Sequence, residues 1–419
     1  MKAKSLDSSI FQLSCTGLND SLLVIGQLVA GLILLVGGGE LLVRGASAMA
    51  ATFRVSPLVI GLTVVAFGTS APELGVSLQA ALSNSADVAI GNVVGSNIIN
   101  ILLILGTSAL VTPLVVNSQL IRIDVPLMIA ASLAMWAVSA DGLIARWEGV
   151  LLFLSLLVYI VFCVRKSRSE QKDVVEEFAQ AYSKPVMGWL AILEQIALIV
   201  GGLILLGWGS NWLVDGAVVI ATQLGVGELL IGLTIVSIGT SLPEVVTSVV
   251  ASYRGERDIA VGNVVGSNLF NILCVLGLTG VVSPTGINVS TEAIIFDIPV
   301  MVAVAILCFP IFLSGNVIRR HEAALFLVYY GIYTGFLIAA SSRPELKETF
   351  GSVVLYVVLP LTAFALFISL RKHRLSEPVT DPLPEQTDIT DRPEDTLVDD
   401  TMLEAPASPT QTKNGQRKK

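Results

Sequence analysis

Apolar residues in this chain run in unbroken blocks and seldom alternate with polar ones. Each block comes close to the roughly 20 residues that cross a bilayer as a helix. Eleven such spans can be marked, at 21–43, 57–81, 88–111, 124–139, 147–164, 188–214, 228–251, 259–282, 293–313, 322–340 and 353–370. The polar residues inside them are few and recur in a fixed order. GLTVVAFGTSAPE begins at Gly61 and GLTIVSIGTSLPE at Gly232; ADVAIGNVVGSNIIN follows in the first case and RDIAVGNVVGSNLFN in the second. The offset is 171 throughout, without a gap, from the pair Gly31 and Gly202 to the pair Gly106 and Gly277. A duplication of this kind organises every other feature of the chain.

Lys and Arg set the expected orientation. Connections after odd-numbered spans hold fifteen of them, five in 165–187, against five on the other side. Because cytoplasmic loops are enriched in basic residues, the N-terminus is expected outside, with the central loop and the C-terminal tail in the cytoplasm. Five spans precede the central loop, so the second copy enters the membrane from the opposite side. Inverted repeats of this sort build many secondary transporters. The predicted fold is therefore an all-α polytopic membrane protein of two inverted five-helix repeats plus one extra C-terminal transmembrane helix. Its parts are 21–164 (motif 61–106), a cytoplasmic loop at 165–187, 188–340 (motif 232–277), the extra helix at 350–370 and a disordered acidic tail at 371–419. The first twenty residues lack a signal-peptide core followed by a cleavage site, so the first span is expected to be retained.

Composition agrees. Hydrophobic residues make up 53% and charged ones 14%, where a soluble domain carries about a quarter charged. The net charge of −8 belongs to the tail, where ten acidic residues stand between Glu377 and Glu404. The membrane body is close to neutral and has no basic face for nucleic acid. Cys15, Cys163, Cys274 and Cys308 form no CxxC pair and read as small buried hydrophobes. His321 and His373, the two histidines, stand at segment ends. The membrane interior thus offers no imidazole for zinc or acid–base chemistry and no nucleophile–base pair, which excludes an intramembrane enzyme.

The chemistry is in the repeat. Glu73 and Glu244 each fall some sixteen residues into an apolar helix, about 24 Å along its axis, and a carboxylate so deep in the membrane marks a functional site. Pro72 and Pro243 lack the N–H that would bond the carbonyls of Gly68 and Gly239, so each helix is expected to break there. In lipid such a break is tolerated where the freed backbone meets protein, water or an ion. Carbonyls of Ala66–Thr69 and Ser237–Thr240 become candidate ligands. Thr69 and Ser70 share a helix face with Glu73, as Thr240 and Ser241 do with Glu244. In the following span, Asn92, Ser96 and Asn100 form an i, i+4, i+8 stripe, repeated by Asn263, Ser267 and Asn271. All these donors are oxygens, the inventory of a hard cation such as Ca2+.

Other polar positions have plainer readings. Gly91, Gly95, Gly262 and Gly266 suit close helix packing. Asn92, Asn97, Asn263 and Asn268 serve equally as ligands or as interhelical hydrogen-bonding groups. Asp87 and Asp258 read as N-caps, and Glu40 and Asp215 as solvated residues at the interface.

GTSAPE with GNVVGSN, and GTSLPE with GNVVGSN, resemble the two alpha-repeats of the sodium/calcium exchanger family, of the cation/calcium antiporter superfamily. The resemblance spans both five-helix halves, and the short central loop is similar to prokaryotic members. It implies that Glu73 and Glu244 bind Ca2+ centrally. It also implies that Thr69, Ser70, Ser96, Thr240, Ser241, Ser267 and the carbonyls of Ala66 and Ser237 bind Na+ or Ca2+. The implied activity is export of Ca2+ from the cytoplasm across a bacterial inner membrane in exchange for Na+, with no cofactor and no obligate protein partner. Many Na+-coupled members have Asp at the position matching Asn271, where this chain has Asn in both halves. H+ therefore stays beside Na+ as coupling ion, with K+ as a further candidate, and a Ca2+ channel is the alternative from another class.

Overall fold

The computed structural model describes residues 6–170, 189–224 and 237–342, except positions 54, 84 and 314. The extra helix, the tail and most of the central loop lie outside the described residues. Twelve helices and four short strands are described. In the first half these are α1 (Leu6–Phe53), α2 (Pro57–Thr69), α3 (Ala71–Leu82), α4 (Ala86–Val111), β1 (Leu114–Val115), α5 (Leu120–Val138), β2 (Leu143–Ile144) and α6 (Arg146–Glu170). The second half has α7 (Trp189–Gln223), α8 (Ser237–Thr240), α9 (Leu242–Tyr253), α10 (Arg257–Val282), β3 (Ile287–Asn288), α11 (Ala293–Leu313), β4 (Val317–Ile318) and α12 (Arg320–Ser342). Among the described residues 8 helices are long and apolar enough to cross a membrane, or 9 when the bent pair α2 and α3 counts as one span.

The two halves meet as antiparallel partners. Gly31, Gly38 and Gly45 stand seven residues apart on α1, and Gly202, Gly209 and Gly216 do the same on α7. An added Cβ on Gly38 would lie 2.8 Å from the Gly202 carbonyl oxygen, and one on Gly209 2.7 Å from the Gly31 carbonyl oxygen. The pairing rises along one helix as it falls along the other, so the copies run in opposite directions. The strands exchange in the same way: β1 pairs antiparallel with β4, and β2 with β3.

At the centre lies α10, whose apolar stretch is wholly buried. Gly262 and Gly266 let α2 approach it, a Cβ on Gly262 coming within 2.9 Å of the Leu58 carbonyl oxygen. Their counterparts Gly91 and Gly95 meet no described residue within 4 Å; the segment matching α2, 228–236, lies outside the described residues. Ser56 caps α2, its Oγ accepting from the Val59 N–H at 3.4 Å with Pro57 in the first turn, where a missing N–H costs nothing. Asp87 and Asp258 were expected as N-caps; the caps are Ser85 and Glu256, and both aspartates sit one position inside the helix, where a negative charge still suits the dipole.

The symmetry is broken beside α9. On that side α1 packs closely: an added Cβ on Gly39 would lie 3.0 Å from a Val246 methyl, and Glu40 bridges Arg44 and Arg254. Glu40 is thus an ion-paired residue and not merely a solvated one. An added Cβ on Gly75 of α3, the counterpart of Val246, would meet no described residue within 4 Å. The counterparts of Glu40, Arg44 and Arg254 are Asn211, Asp215 and Ser83, which form no such bridge.

Candidate functional site

Each repeat interrupts its second span at a serine. Ser70 has φ −80° and ψ 7°, Ser241 φ −91° and ψ 5°, and α2 and α3 meet at 45°. The break lies just ahead of the proline, which occupies the first turn of the new helix, and this differs from the deep interior position that the sequence suggests. Pro72 and Pro243 therefore start α3 and α9, and the serine is left at the corner with its hydroxyl free to turn sideways. The carbonyl that Pro243 cannot satisfy, that of Gly239, accepts from Ser210 Oγ on α7 at 2.5 Å. The Ala66 carbonyl accepts from the Ser70 N–H at 3.0 Å, whereas the Ser241 N–H bonds Ile238 and not Ser237.

Both corner serines reach across the two-fold. Ser70 Oγ donates to Glu244 Oε1 at 3.2 Å, and Ser241 Oγ donates to Glu73 Oε1 at 3.1 Å. Ser96 Oγ also donates to Glu73 Oε1, at 3.4 Å, and lies 3.2 Å from Ser241 Oγ. Each carboxylate is thus held by hydroxyls from the opposite copy. Glu73 is 0% exposed and Glu244 1%, and among the described residues neither is in an ion pair. Glu73 Oε2 and Glu244 Oε2 have no hydrogen-bond partner.

The asparagines complete the arrangement. Asn100 and Asn271 begin matching π-helical segments, Asn100–Leu105 and Asn271–Leu276; such bulges gather at functional sites. Their amide nitrogens are tied to Asn268 and Asn97, and their Oδ1 atoms have no partner. The buried acceptors without partners therefore include two carboxylate and two amide oxygens, related in pairs by the repeat. Ser267 Oγ is also without a partner. Buried acceptors without donors are costly, and a cation removes the cost. The set contains no nitrogen or sulfur ligand, and no cluster of three His, Cys, Asp or Glu occurs among the described residues. That chemistry fits an alkali or alkaline-earth cation as cargo.

Of the twelve residues named from the sequence, five fall in two hydrogen-bonded groups: Ser70 with Glu244, and Ser241 and Ser96 with Glu73. Thr69 Oγ1 donates to Asn263 Oδ1 of the other repeat, at 3.1 Å. Thr240 is partly buried beside Ser241. Asn92 and Asn263 donate to Ser77 and Ser248, both at 2.9 Å, so they brace the helices carrying the carboxylates. Ser77, Ser248 and Ser210 were not singled out in the sequence. The first two had a signal, an E-x-x-x-S spacing from Glu73 and Glu244 in both copies; Ser210 had none, since its counterpart is Gly39.

A family model described as "Sodium/calcium exchanger protein" matches residues 23–165 and 194–339. The chain belongs to the sodium/calcium exchanger family. It is an exchanger-type transporter and not an enzyme. Among its relatives, "Inner membrane protein YrbG" of Escherichia coli is 39% identical, covering 68% of this chain and 89% of its own. "Putative antiporter CaxA" of Alkalimonas amylolytica is 42% identical over 61% of this chain and 80% of its own. A solved structure of the sodium-calcium exchanger NCX_Mj superposes with a TM-score of 0.64 at 30% identity, covering 77% of this chain and 99% of that one. The likeness extends over nearly the whole of that exchanger.

Proposed function

We propose that this family member exports Ca2+ across the bacterial inner membrane in exchange for Na+, both ions using a midplane site formed by Glu73 and Glu244. The observation that carries this reading is the pair of fully buried carboxylates, each hydrogen-bonded to the other repeat and each with one oxygen unpartnered. Empty, the site holds two negative charges in low dielectric, a costly state to move through the membrane. One Ca2+ or two monovalent cations neutralise it. Exchange follows because the loaded forms cross readily and the empty form does not. The test is uptake of radiolabelled Ca2+ into proteoliposomes with outward Na+, H+ or K+ gradients imposed singly; uptake driven by H+ alone would replace Na+ with H+, and uptake down the Ca2+ gradient without saturation would mark a channel.

The uncovered α3 and the sealed α9 support alternating access, with the present arrangement open on the α3 side. With basic loops in the cytoplasm, α3 falls in the outer half of the membrane and α9 in the inner half, so the site opens outward. The bridge from Glu40 to Arg254 then closes the cytoplasmic side, and no equivalent bridge can form outside. Partly exposed ion pairs are worth about 0.2–1 kcal/mol. Arg254→Gln is therefore expected to lower the cytoplasmic half-saturation concentration for Ca2+ by about two- to five-fold and to raise the external one, measured in oriented vesicles.

Charge also bears on stoichiometry. Asn100 and Asn271 are neutral, so two Na+ per Ca2+ balance the site, and a third would leave a net positive charge costing at least roughly 2.5–3.5 kcal/mol. The exchange is expected to depend weakly on voltage, and Asn271→Asp to make it more electrogenic. Ca2+ uptake at clamped potentials measures both; steep voltage dependence in the parent, unchanged in the variant, would show that carboxylates do not set the ratio.

A further inference from the structure

Behind the two ligand amides lies a pair of hydrogen-bonded chains that ends on sulfur. Asn268 Nδ2 donates to Met128 Sδ at 3.3 Å, and Asn97 Nδ2 donates to Met301 Sδ and to the Asn268 backbone carbonyl, both at 3.5 Å. With their nitrogens so engaged, Asn268 Oδ1 accepts from Asn100 Nδ2 and Asn97 Oδ1 accepts from Asn271 Nδ2, both at 3.1 Å. Asn100 Oδ1 and Asn271 Oδ1, at the far ends, have no partner. All six side chains are buried, none more than 2% exposed. The methionines come from α5 and α11, where the sequence repeats a second short motif, Asp124-Val-Pro-Leu-Met128 and Asp297-Ile-Pro-Val-Met301. Each chain thus draws on both repeats.

The direction of the Met128 chain is set by its sulfur, and that of the Met301 chain by its sulfur together with the Asn268 carbonyl. A primary amide presents a donor on one side and an acceptor on the other, and the two orientations have nearly the same shape. A thioether accepts, weakly, and has no proton to donate. It therefore favours the NH2 side of Asn97 or Asn268 and turns the carbonyl toward the next amide. That carbonyl in turn takes the NH2 of Asn271 or Asn100 and leaves its oxygen outward. We propose that Met128 and Met301, through Asn268 and Asn97, are positioning residues that make Asn100 and Asn271 present oxygen, not NH2, to the transported cation. The proposal rests on reading Asn100 and Asn271 as cation ligands. Leucine would fill the same space as methionine without the acceptor, which separates polarity from packing.

The experiment uses the full chain in detergent, titrated with CaCl2 and separately with NaCl, binding being read from ion-induced protection of a thermal unfolding transition. Met128→Leu and Met301→Leu are expected to unfold near the parental temperature without ions and to bind Ca2+ about three- to ten-fold more weakly. In Asn100→Asp the ligand has no polarity to choose, and Asn268 turns its NH2 toward the carboxylate. There Met128→Leu is expected to be neutral or to tighten binding. A role confined to packing would weaken binding equally in both backgrounds. Unchanged affinity in both leucine variants, or equal weakening with and without Asn100→Asp, would overturn the proposal. Parental protein that binds cations but fails to exchange Ca2+ for Na+ in proteoliposomes would instead sink the transport reading and leave this one standing.

Discussion

Glu73→Gln and Glu244→Gln are each expected to abolish Ca2+ exchange, by at least a hundred-fold, in protein that folds normally. The two carboxylates supply the negative charge of the buried group, and among the described residues neither is in an ion pair. Losing one leaves a bound Ca2+ with an excess positive charge in low dielectric, and an uncompensated buried charge costs several kcal/mol. Glutamine keeps the shape and can still accept from Ser241 or Ser70, so folding should survive. The measurements are radiolabelled Ca2+ flux in proteoliposomes and the thermal transition of each purified variant. Near-parental flux in either folded variant would remove the glutamate pair from the mechanism.

The second large effect concerns the crossing of α1 and α7. Gly202→Ala would put its Cβ 2.7 Å from the Leu42 backbone nitrogen and 2.8 Å from the Gly38 carbonyl oxygen. These are backbone atoms that cannot rotate aside, so the helices must separate. Overpacking of this kind costs typically about 1–3 kcal/mol, and separation would also disturb α1 where it covers α9. We expect Gly202→Ala and Gly209→Ala to lower the unfolding temperature by several degrees and to impair transport. Gly201→Ala and Gly207→Ala, where a Cβ meets no described residue within 4 Å, should be neutral or slightly stabilising, because alanine favours helix. Equal behaviour of the two sets would show that the close approach is not what holds these helices.

Much of this was legible in the residues. The 171-residue offset identified the duplication, and an odd number of spans per copy made it inverted. Glutamates in apolar helices pointed to the candidate site because a carboxylate in hydrocarbon is costly, and both are buried in the fold. Less legible was everything decided by tertiary contact. Where the second span breaks depends on a serine finding a partner across the two-fold, so Pro72 and Pro243 placed the break only to within a turn. Ser210 reaches Gly239 from a helix whose own repeat partner carries glycine there, and no periodicity reveals that. The π-helical segments at Asn100 and Asn271 follow from helix packing and leave no pattern in composition.

The crossed hydrogen bonds have a consequence for assembly. Ser70 serves Glu244 and Ser241 serves Glu73, and the glycine crossing exchanges between the copies in the same manner. Neither half contains a whole site, however completely it folds. An antiparallel pair of first halves, with no second half present, would bring two copies of Glu73 and two of Ser70 into the same reciprocal contacts. On the proposed reading, the smallest unit able to hold a cation in this way is a self-complementary dimer of one repeat inserted in both orientations, and the segment between Glu170 and Trp189 makes that dimer a single chain.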